Sequence, residues 1–185
     1  MNILILGLVV FMAAHLLPTA PAWHQAARLR LGEQRYKGVY SLVSLIGFVI
    51  IIVGMGRAEF SPVWEPPAWG RAAAAVLMAL ALYCLAAKSL KSNLKRVTAH
   101  PMLWGITFWS SGHLLSNGDL ASALLFGSFL AYSLFDMWSA NRRGARPSGE
   151  AASVFDEAKL VAISAVAYLL LAFAHPWIAG VPLMP

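Results

Sequence analysis

The sequence HPMLWGITFWSSGHLLSNGD, at residues 100–119, is apolar over most of its length and carries two histidines, His100 and His113. Thirteen residues of helix span about 20 Å, so one ring is expected near one face of a membrane and the other well inside or near the opposite face. Ionisable side chains are costly in hydrocarbon, but a neutral imidazole can ligate a metal or transfer a proton there. The stretch therefore predicts a membrane-spanning helix with a functional histidine.

The composition of the whole chain indicates an integral membrane protein. Of its 185 residues, 59% are hydrophobic and only 12% are charged, whereas soluble domains are about 45–50% apolar. The apolar stretches are roughly 16 to 21 residues long, which suits spanning helices of about 20 residues and not barrel strands of about 10. We predict an all-α, polytopic bundle of six transmembrane helices in a single integral membrane domain, 1–185. The predicted spans are 2–17, 38–55, 70–88, 100–116, 119–138 and 158–178.

The lysines and arginines predict the orientation of these spans, because short cytoplasmic loops collect them. Three loops are basic: 18–37 with Arg28, Arg30, Arg35 and Lys37; 88–99 with Lys88, Lys91, Lys95 and Arg96; and 139–157 with Arg142, Arg143 and Arg146. We expect these loops to be cytoplasmic and both termini to lie outside. Residues 28–36 suit a short amphipathic helix on the cytoplasmic surface. The basic cytoplasmic loops, which face anionic membrane lipid, then explain the net charge of +6. A nucleic-acid partner is not needed to explain it.

Four of the five histidines fall inside or at the end of predicted spans: His15, His100, His113 and His175. For each one alone, the alternative is an imidazole that is hydrogen-bonded to a neighbouring helix. Four together favour a cofactor. The sequence has no HExxH, CxxC or carboxylate cluster within its spans, which disfavours hydrolytic zinc and di-iron sites. Two imidazoles from different helices suit a haem, and the absence of CxxCH makes it a non-covalent haem b.

The depth of each histidine in the membrane leaves three pairings open. His15 lies about 21 Å inward from the outer surface and His113 about 20 Å outward from the inner one, so their backbones differ by roughly 10 Å in depth. Side chains and helix tilt can close much of that difference. His15 with His100, nearer the cytoplasmic face, and His113 with His175, nearer the outer face, are equally compatible with the spacing.

Other candidate cofactor-binding residues surround these histidines, and each has a plain structural alternative. Trp109 is suited to wall a planar macrocycle, or to face lipid or core. Asn117 and Asp119 can orient His113 or meet a haem propionate, or they belong to a tight turn that caps the next helix. His100 suits a basic propionate-binding cluster or an interfacial cap, and His175 suits a site or a helix terminus.

Small residues predict close helix packing, either within the chain or between two copies of it. Gly105, Ser111 and Gly112 allow two helices to approach closely within one protomer. A homodimer is also compatible with so small a bundle, and the sequence leaves both options open.

The chain resembles the NnrU family of bacterial membrane proteins in five motifs, which are distributed along nearly its whole length. They are HLLP at 15–18, LGEQRYKGVYSLVSLIG at 31–47, AHPMLWG at 99–105, WSSGHLLSNGDLASALLFG at 109–127 and HPWIAGVP at 175–182. The family is similar to plant zeta-carotene isomerase, a haem b membrane enzyme. This resemblance implies that His15 and His113 are the axial ligands of the iron, and it ranks that pair first. Ser110 stands where the plant enzyme has a cysteine, which argues against a thiolate switch.

The resemblance also implies an expected function and location. NnrU proteins are associated with nitrogen-oxide metabolism, denitrification and nitric oxide reduction. We therefore expect a haem b protein of the bacterial inner membrane with both termini periplasmic. Haem-dependent oxidoreductase or isomerase chemistry would act on a nitrogen oxide or a carotenoid-like apolar ligand. The alternative is a cofactor-free transporter or an assembly factor for nitrogen-oxide respiration.

Overall fold

The computed structural model describes residues 1–181 and Leu183, and this part of the chain is all-α. Pro182, the last residue of the HPWIAGVP motif, lies outside the described residues, as do Met184 and Pro185. The described elements are α1 (Asn2–Leu16), a 3₁₀ turn (Leu17–Thr19), α2 (Pro21–Leu31), α3 (Glu33–Gly56), α4 (Gly70–Ser89), α5 (Leu94–Val97), α6 (Pro101–Ser116), α7 (Leu120–Arg142) and α8 (Val154–Ala179).

Five helical segments of the described chain are long and apolar enough to cross a membrane. They are Asn2–Thr19, which joins α1 to the 3₁₀ turn, and the helices α3, α4, α7 and α8. The predicted class, an all-α membrane protein, is confirmed. The helix α6 has 16 residues, fewer than the about 20 that a perpendicular span needs. A count of six spans therefore stays a prediction that depends on α6.

The described chain divides into two compact units by its internal contacts. A single integral membrane domain stays a prediction. The first unit comprises Met1–Pro66 and Asn117–Arg143, and so contains α1, α2, α3 and α7. Glycines set the contact between α1 and α3: a Cβ on Gly7 would lie 2.6 Å from the backbone N of Ile51, and one on Gly47 would lie 2.7 Å from that of Phe11. Because glycine has no Cβ, the two backbones come into contact, as in many pairs of membrane helices.

A surface helix lies between α1 and α3, but it occupies different residues from those predicted. The sequence suggested a helix over 28–36 and a span that starts at residue 38, whereas α2 covers Pro21–Leu31 and α3 already begins at Glu33. Pro21 stands at the first helical position, which proline favours. Gly32 has φ +76°, a left-handed conformation that glycine adopts without strain and that ends α2. None of the α2 residues is buried.

The second unit comprises Pro67–Ser116 and Gly144–Pro185, and contains α4, α5, α6 and α8. Here α6 packs on α4 through two of its small residues. A Cβ on Gly105 would lie 3.0 Å from the carbonyl oxygen of Ala81, and one on Gly112 would lie 3.4 Å from the Cα of Ala74. Both glycines therefore serve a contact within one protomer, which was one of the two uses open from the sequence.

Hydrogen bonds in the second unit join the start of α8 to the segment before α6. The backbone N–H groups of Ser148 and Gly149 both donate to the carbonyl of Lys95 at 3.2 Å. The side chain of Asn93 donates to the carbonyl of Ala152 at 3.2 Å and accepts from the N–H of the same residue at 3.1 Å. Glu157 accepts from the backbone N–H of Asn93 and, at 3.0 Å, from the hydroxyl of Tyr83. These contacts fix the polar connection that follows α7 against the α5 region.

The contact between α1 and α3 generates a stability prediction. We expect Gly47→Ala to lower the unfolding free energy by about 1–3 kcal/mol, because the added methyl group meets the α1 backbone rather than a movable side chain. The measurement is thermal denaturation of the purified protein in detergent, followed by size-exclusion chromatography.

Gly38→Ala is the matched control on the same helix, since nothing lies within 4 Å of a Cβ at that position. It should leave the unfolding temperature unchanged or raise it slightly, because alanine is the better helix former. Equal losses of stability in the two variants would contradict the close contact at Gly47.

Candidate functional site

The side chain of His15 is held by its own helix and surrounded by aromatic rings of the first unit. Its Nδ1 lies 2.8 Å from the carbonyl oxygen of Phe11, one turn earlier on α1. The imidazole stacks on the Phe11 ring at a centroid distance of 4.0 Å and an interplanar angle of 20°. The rings of Tyr40 on α3 and Tyr132 on α7 lie 5.5 and 5.9 Å away. His15 is thus half-buried where α1, α3 and α7 bring aromatic side chains together.

His113 has the same local arrangement in the second unit. Its Nδ1 lies 2.8 Å from the carbonyl oxygen of Trp109, one turn earlier on α6. The Trp109 ring is 5.3 Å from the imidazole between centroids. The ring of His113 is half-buried, and the preceding residue Gly112 is buried against α4. The sequences FMAAH at 11–15 and WSSGH at 109–113 therefore repeat one pattern: an aromatic residue, three residues, then histidine.

These two hydrogen bonds determine which ring nitrogen carries a lone pair. A backbone carbonyl can only accept, so Nδ1 of each imidazole must carry the proton that is donated to it. In the neutral ring, Nε2 then holds the lone pair with which histidine ligates a metal, and a hydrogen bond from the other ring nitrogen is what usually orients such a ligand. His15 and His113 are therefore both in the tautomer required for coordination through Nε2.

A polar cluster adjoins His15 that was not predicted from the sequence as part of a site. The hydroxyl of Tyr132 donates to Oδ2 of Asp136 at 3.4 Å, and Asp136 lies 3.8 Å from Nη2 of Arg143. On α3, the ring of Tyr40 lies between that of His15 and that of Tyr36, at 5.5 and 6.3 Å. The four-residue spacings Tyr36/Tyr40 and Tyr132/Asp136 were the available signal, since each puts two polar groups on one face of an apolar helix.

The other three histidines have different surroundings. His100 precedes α6, where its backbone N–H donates to the hydroxyl of Thr98 at 3.1 Å. His175 lies in the last turns of α8, and its Nδ1 is 2.8 Å from the carbonyl oxygen of Val181. It belongs to the same unit as His113. His24 lies on α2, with its ring 5.3 Å from that of Tyr36.

The remaining predicted residues lie near the turn between α6 and α7. Asp119 is the N-cap of α7, and its carboxylate accepts from the backbone N–H of Ser122 at 2.9 Å. Asn117 precedes Gly118, whose carbonyl accepts from the N–H groups of Val63 and Trp64 at 2.7 and 3.1 Å. Asp119 therefore has the capping role that the sequence allowed. A role in cofactor binding for Trp109, Asn117 or Asp119 stays a prediction.

The two histidines that rank first belong to different units, His15 to the first and His113 to the second. Across residues 1–181 and 183, no three or more histidine, cysteine, aspartate or glutamate side chains form a group that could hold a metal ion. A haem needs only two imidazoles from the protein, because the porphyrin supplies the other donors. The chemistry of the two Nε2 nitrogens fits that requirement.

Five helical segments of membrane-spanning length in the described chain define an all-α, polytopic membrane protein. Its α1 and α6 each carry an imidazole that is bonded to the backbone of its own helix. The family model described as NnrU protein matches residues 3–183, nearly the whole chain, and the chain belongs to this family. The family resemblance read from the five motifs is thereby confirmed, and the relation to plant zeta-carotene isomerase stays a prediction. No curated protein matches the chain, and no solved structure matches it.

The capping bond of Asp119 generates a stability prediction for α7. We expect Asp119→Ala to lower the unfolding free energy by about 1 kcal/mol, because α7 loses its N-cap. Asp119→Asn should keep the unfolding free energy of the unchanged protein, since asparagine caps helices about as well as aspartate does. Thermal denaturation of the purified variants measures both effects. A loss of stability that asparagine fails to restore would show that the negative charge itself is required.

Proposed function

We propose that this NnrU protein is a haem b protein of the bacterial inner membrane, in which His15 and His113 would hold the haem iron. The observation that supports the proposal most strongly is the matched pair of bonds from Nδ1 to the carbonyl oxygens of Phe11 and Trp109. Each bond leaves the lone pair on Nε2 and fixes the plane of the ring. A ligand held in this way also becomes more basic, which strengthens its bond to a metal.

The surroundings of the two histidines also suit a flat, apolar cofactor. Phe11 and Trp109 place an aromatic ring beside each imidazole, and aromatic rings pack favourably against the face of a macrocycle. Both histidines are only half-buried by the protein within the described residues. A metal is a suitable partner for the second nitrogen of an imidazole in hydrocarbon, where water does not provide hydrogen bonds.

The expected chemistry follows from the cofactor and from the family. A bound haem would supply a redox-active iron, while the chain itself holds and orients the two imidazoles and excludes water with apolar helices. We place this activity in nitrogen-oxide metabolism, as an oxidoreductase or isomerase whose ligand is a nitrogen oxide or a carotenoid-like apolar molecule. A cofactor-free transporter or assembly factor is the competing function, and it is distinguished by the absence of a pigment.

The visible spectrum tests the proposal directly. Protein purified in detergent from cells supplied with a haem precursor should show a Soret band that shifts when dithionite reduces the iron. We expect His15→Ala and His113→Ala each to lower the ratio of haem to protein about tenfold or more, because each removes one of the two bonds from protein to iron. Added imidazole should restore part of the band by replacing the missing ring.

The matched control is His24→Ala, which removes a half-buried histidine from α2 and should keep the full ratio of haem to protein. A protein that stays colourless after incubation with hemin would contradict the cofactor. A band that disappears in His100→Ala or His175→Ala but persists in His15→Ala would contradict the ligand pair and favour one of the other pairings.

Membrane orientation provides a second test, because the periplasmic position of both termini requires α6 to cross the membrane. Alkaline phosphatase fused after residue 118 should be active, whereas fusions after residues 92 and 143 should be inactive, since the enzyme folds only outside the cytoplasm. Green fluorescent protein at the same three positions should give the reverse pattern. Equal activity at 92 and 118 would mean that α6 does not span the membrane, and would place the C-terminus in the cytoplasm if the N-terminus is outside.

A further inference from the structure

A cleft of about 700 Å³ opens beside α2 in the first unit, where the chain turns from α1 towards α3. Most of its polar lining is basic or a hydrogen-bond donor, and Glu33 is its one acidic residue. We call it the basic cleft. Its lining includes His24, Gln25, Arg28, Leu29, Glu33 and Arg143. The membrane-length helices of this unit are apolar. Positive charge concentrated at the end of one of them is therefore a distinct feature of the unit.

The two arginines of the basic cleft are held by acidic partners and keep donors for another ligand. Arg28 bonds Oε2 of Glu33 through Nε at 2.8 Å and Nη2 at 2.6 Å, so its Nη1 is left for a second acceptor. Glu33 is shared with Lys37, whose Nζ lies 3.0 Å from Oε1. Two cations therefore share one carboxylate, and the pairing leaves the cleft with excess positive charge.

Arg143 reaches the cleft from the C-terminal end of α7. Its guanidinium lies 3.8 Å from Asp136 and also bonds the hydroxyl of Ser139. These contacts position the side chain, and its separation from Asp136 is long for a strong ion pair. A planar guanidinium in such a position is suited to bind phosphate oxygens.

An unsatisfied donor adjoins the wall of the cleft. The ring of His24 contacts that of Tyr36, and the Tyr36 side chain is only 9% exposed. Its hydroxyl has no hydrogen-bond partner among the described residues. Buried polar groups are rarely left unpaired, because the lost hydrogen bond costs free energy. A tyrosine whose buried hydroxyl still needs an acceptor therefore contacts a residue of the cleft lining.

The position of the cleft on the chain indicates what kind of anion it meets. On the surface helix α2, Trp23 and Leu29 are 74% and 78% exposed, as expected for side chains that lie in a membrane interface. The surrounding loop is the basic one predicted to face the cytoplasm, where the leaflet carries anionic lipid and where basic pockets beside helices bind phosphorylated headgroups. Leu29 also lines the cleft. It gives the cleft an apolar side that suits contact with the acyl chains of a lipid.

We propose that the basic cleft binds the phosphate of an anionic phospholipid, with Arg28 and Arg143 as the main donors and His24 beside them. The headgroup occupies the cleft, and the acyl chains follow the apolar side at Leu29. The lining of this lipid site contains neither of the two proposed haem ligands.

Native mass spectrometry of the detergent-purified chain tests the lipid site with phosphatidylglycerol as the probe and phosphatidylcholine as the neutral comparison. We expect the double variant Arg28→Gln/Arg143→Gln to weaken phosphatidylglycerol binding about tenfold or more, since charge-assisted hydrogen bonds to phosphate are among the stronger polar contacts. Phosphatidylcholine binding should change little. Arg28→Gln alone should already weaken binding severalfold, and it keeps the fold because an exposed ion pair contributes little to stability.

The matched control is Arg30→Gln/Arg142→Gln, which removes the same charge from the same two helices at residues outside the cleft lining. It should change phosphatidylglycerol binding by less than about twofold. Equal weakening in both double variants would reduce the effect to general surface charge and overturn the site. Inorganic phosphate that binds alone, with the same dependence on Arg28 and Arg143 and without any preference for lipid, would overturn the assignment to a phospholipid.

Discussion

The hydrogen bond from a histidine Nδ1 to the carbonyl one turn earlier is the interaction on which the candidate site depends. In hydrocarbon every polar group must find a partner within the protein, and an imidazole has two nitrogens to satisfy. At His15 and His113 the helix itself satisfies the first. The second, Nε2, is thereby committed to the role of acceptor or metal ligand. A helix thus selects the tautomer without help from any other element, and two separate helices of this chain do so in the same way.

Close packing of glycine against backbone keeps these turns of helix in place. Gly47 of α3 meets the backbone of Phe11, the residue whose carbonyl holds His15. Gly112 immediately precedes His113 and packs on Ala74 of α4. In a membrane the helices gain little from hydrophobic burial against one another, so small residues that permit van der Waals contact decide which faces meet. The glycines therefore determine the position of each histidine-bearing turn within its own unit, and a larger residue at either position would move it.

Much of this structure could be predicted from the sequence, but the parts that depend on contacts distant in sequence could not. Hydropathy predicts the membrane helices because the lipid imposes length and composition on each one separately. The predicted span starts at residue 38, whereas the helix α3 begins at Glu33, since the charged residues from Glu33 to Lys37 continue the helix beyond the apolar stretch and Gly32 ends α2. The candidate histidines were identified because ionisable residues are rare in such helices. The sequence does not reveal the tyrosines beside His15, because Tyr40 and Tyr132 belong to two other helices and only packing brings them to the ring.

The polar side chains of the first unit form one continuous set that extends from His15 to the basic cleft. Tyr132 contacts the ring of His15 and donates to Asp136, and Asp136 in turn attracts Arg143. Arg143 lines the cleft. An anion that binds Arg143 competes with Asp136 for the same guanidinium. A carboxylate that loses part of its counter-charge becomes a better acceptor for the Tyr132 hydroxyl. The proposed lipid would therefore change the polarity beside the imidazole through Arg143 at the end of α7 and through Asp136 and Tyr132 within that helix.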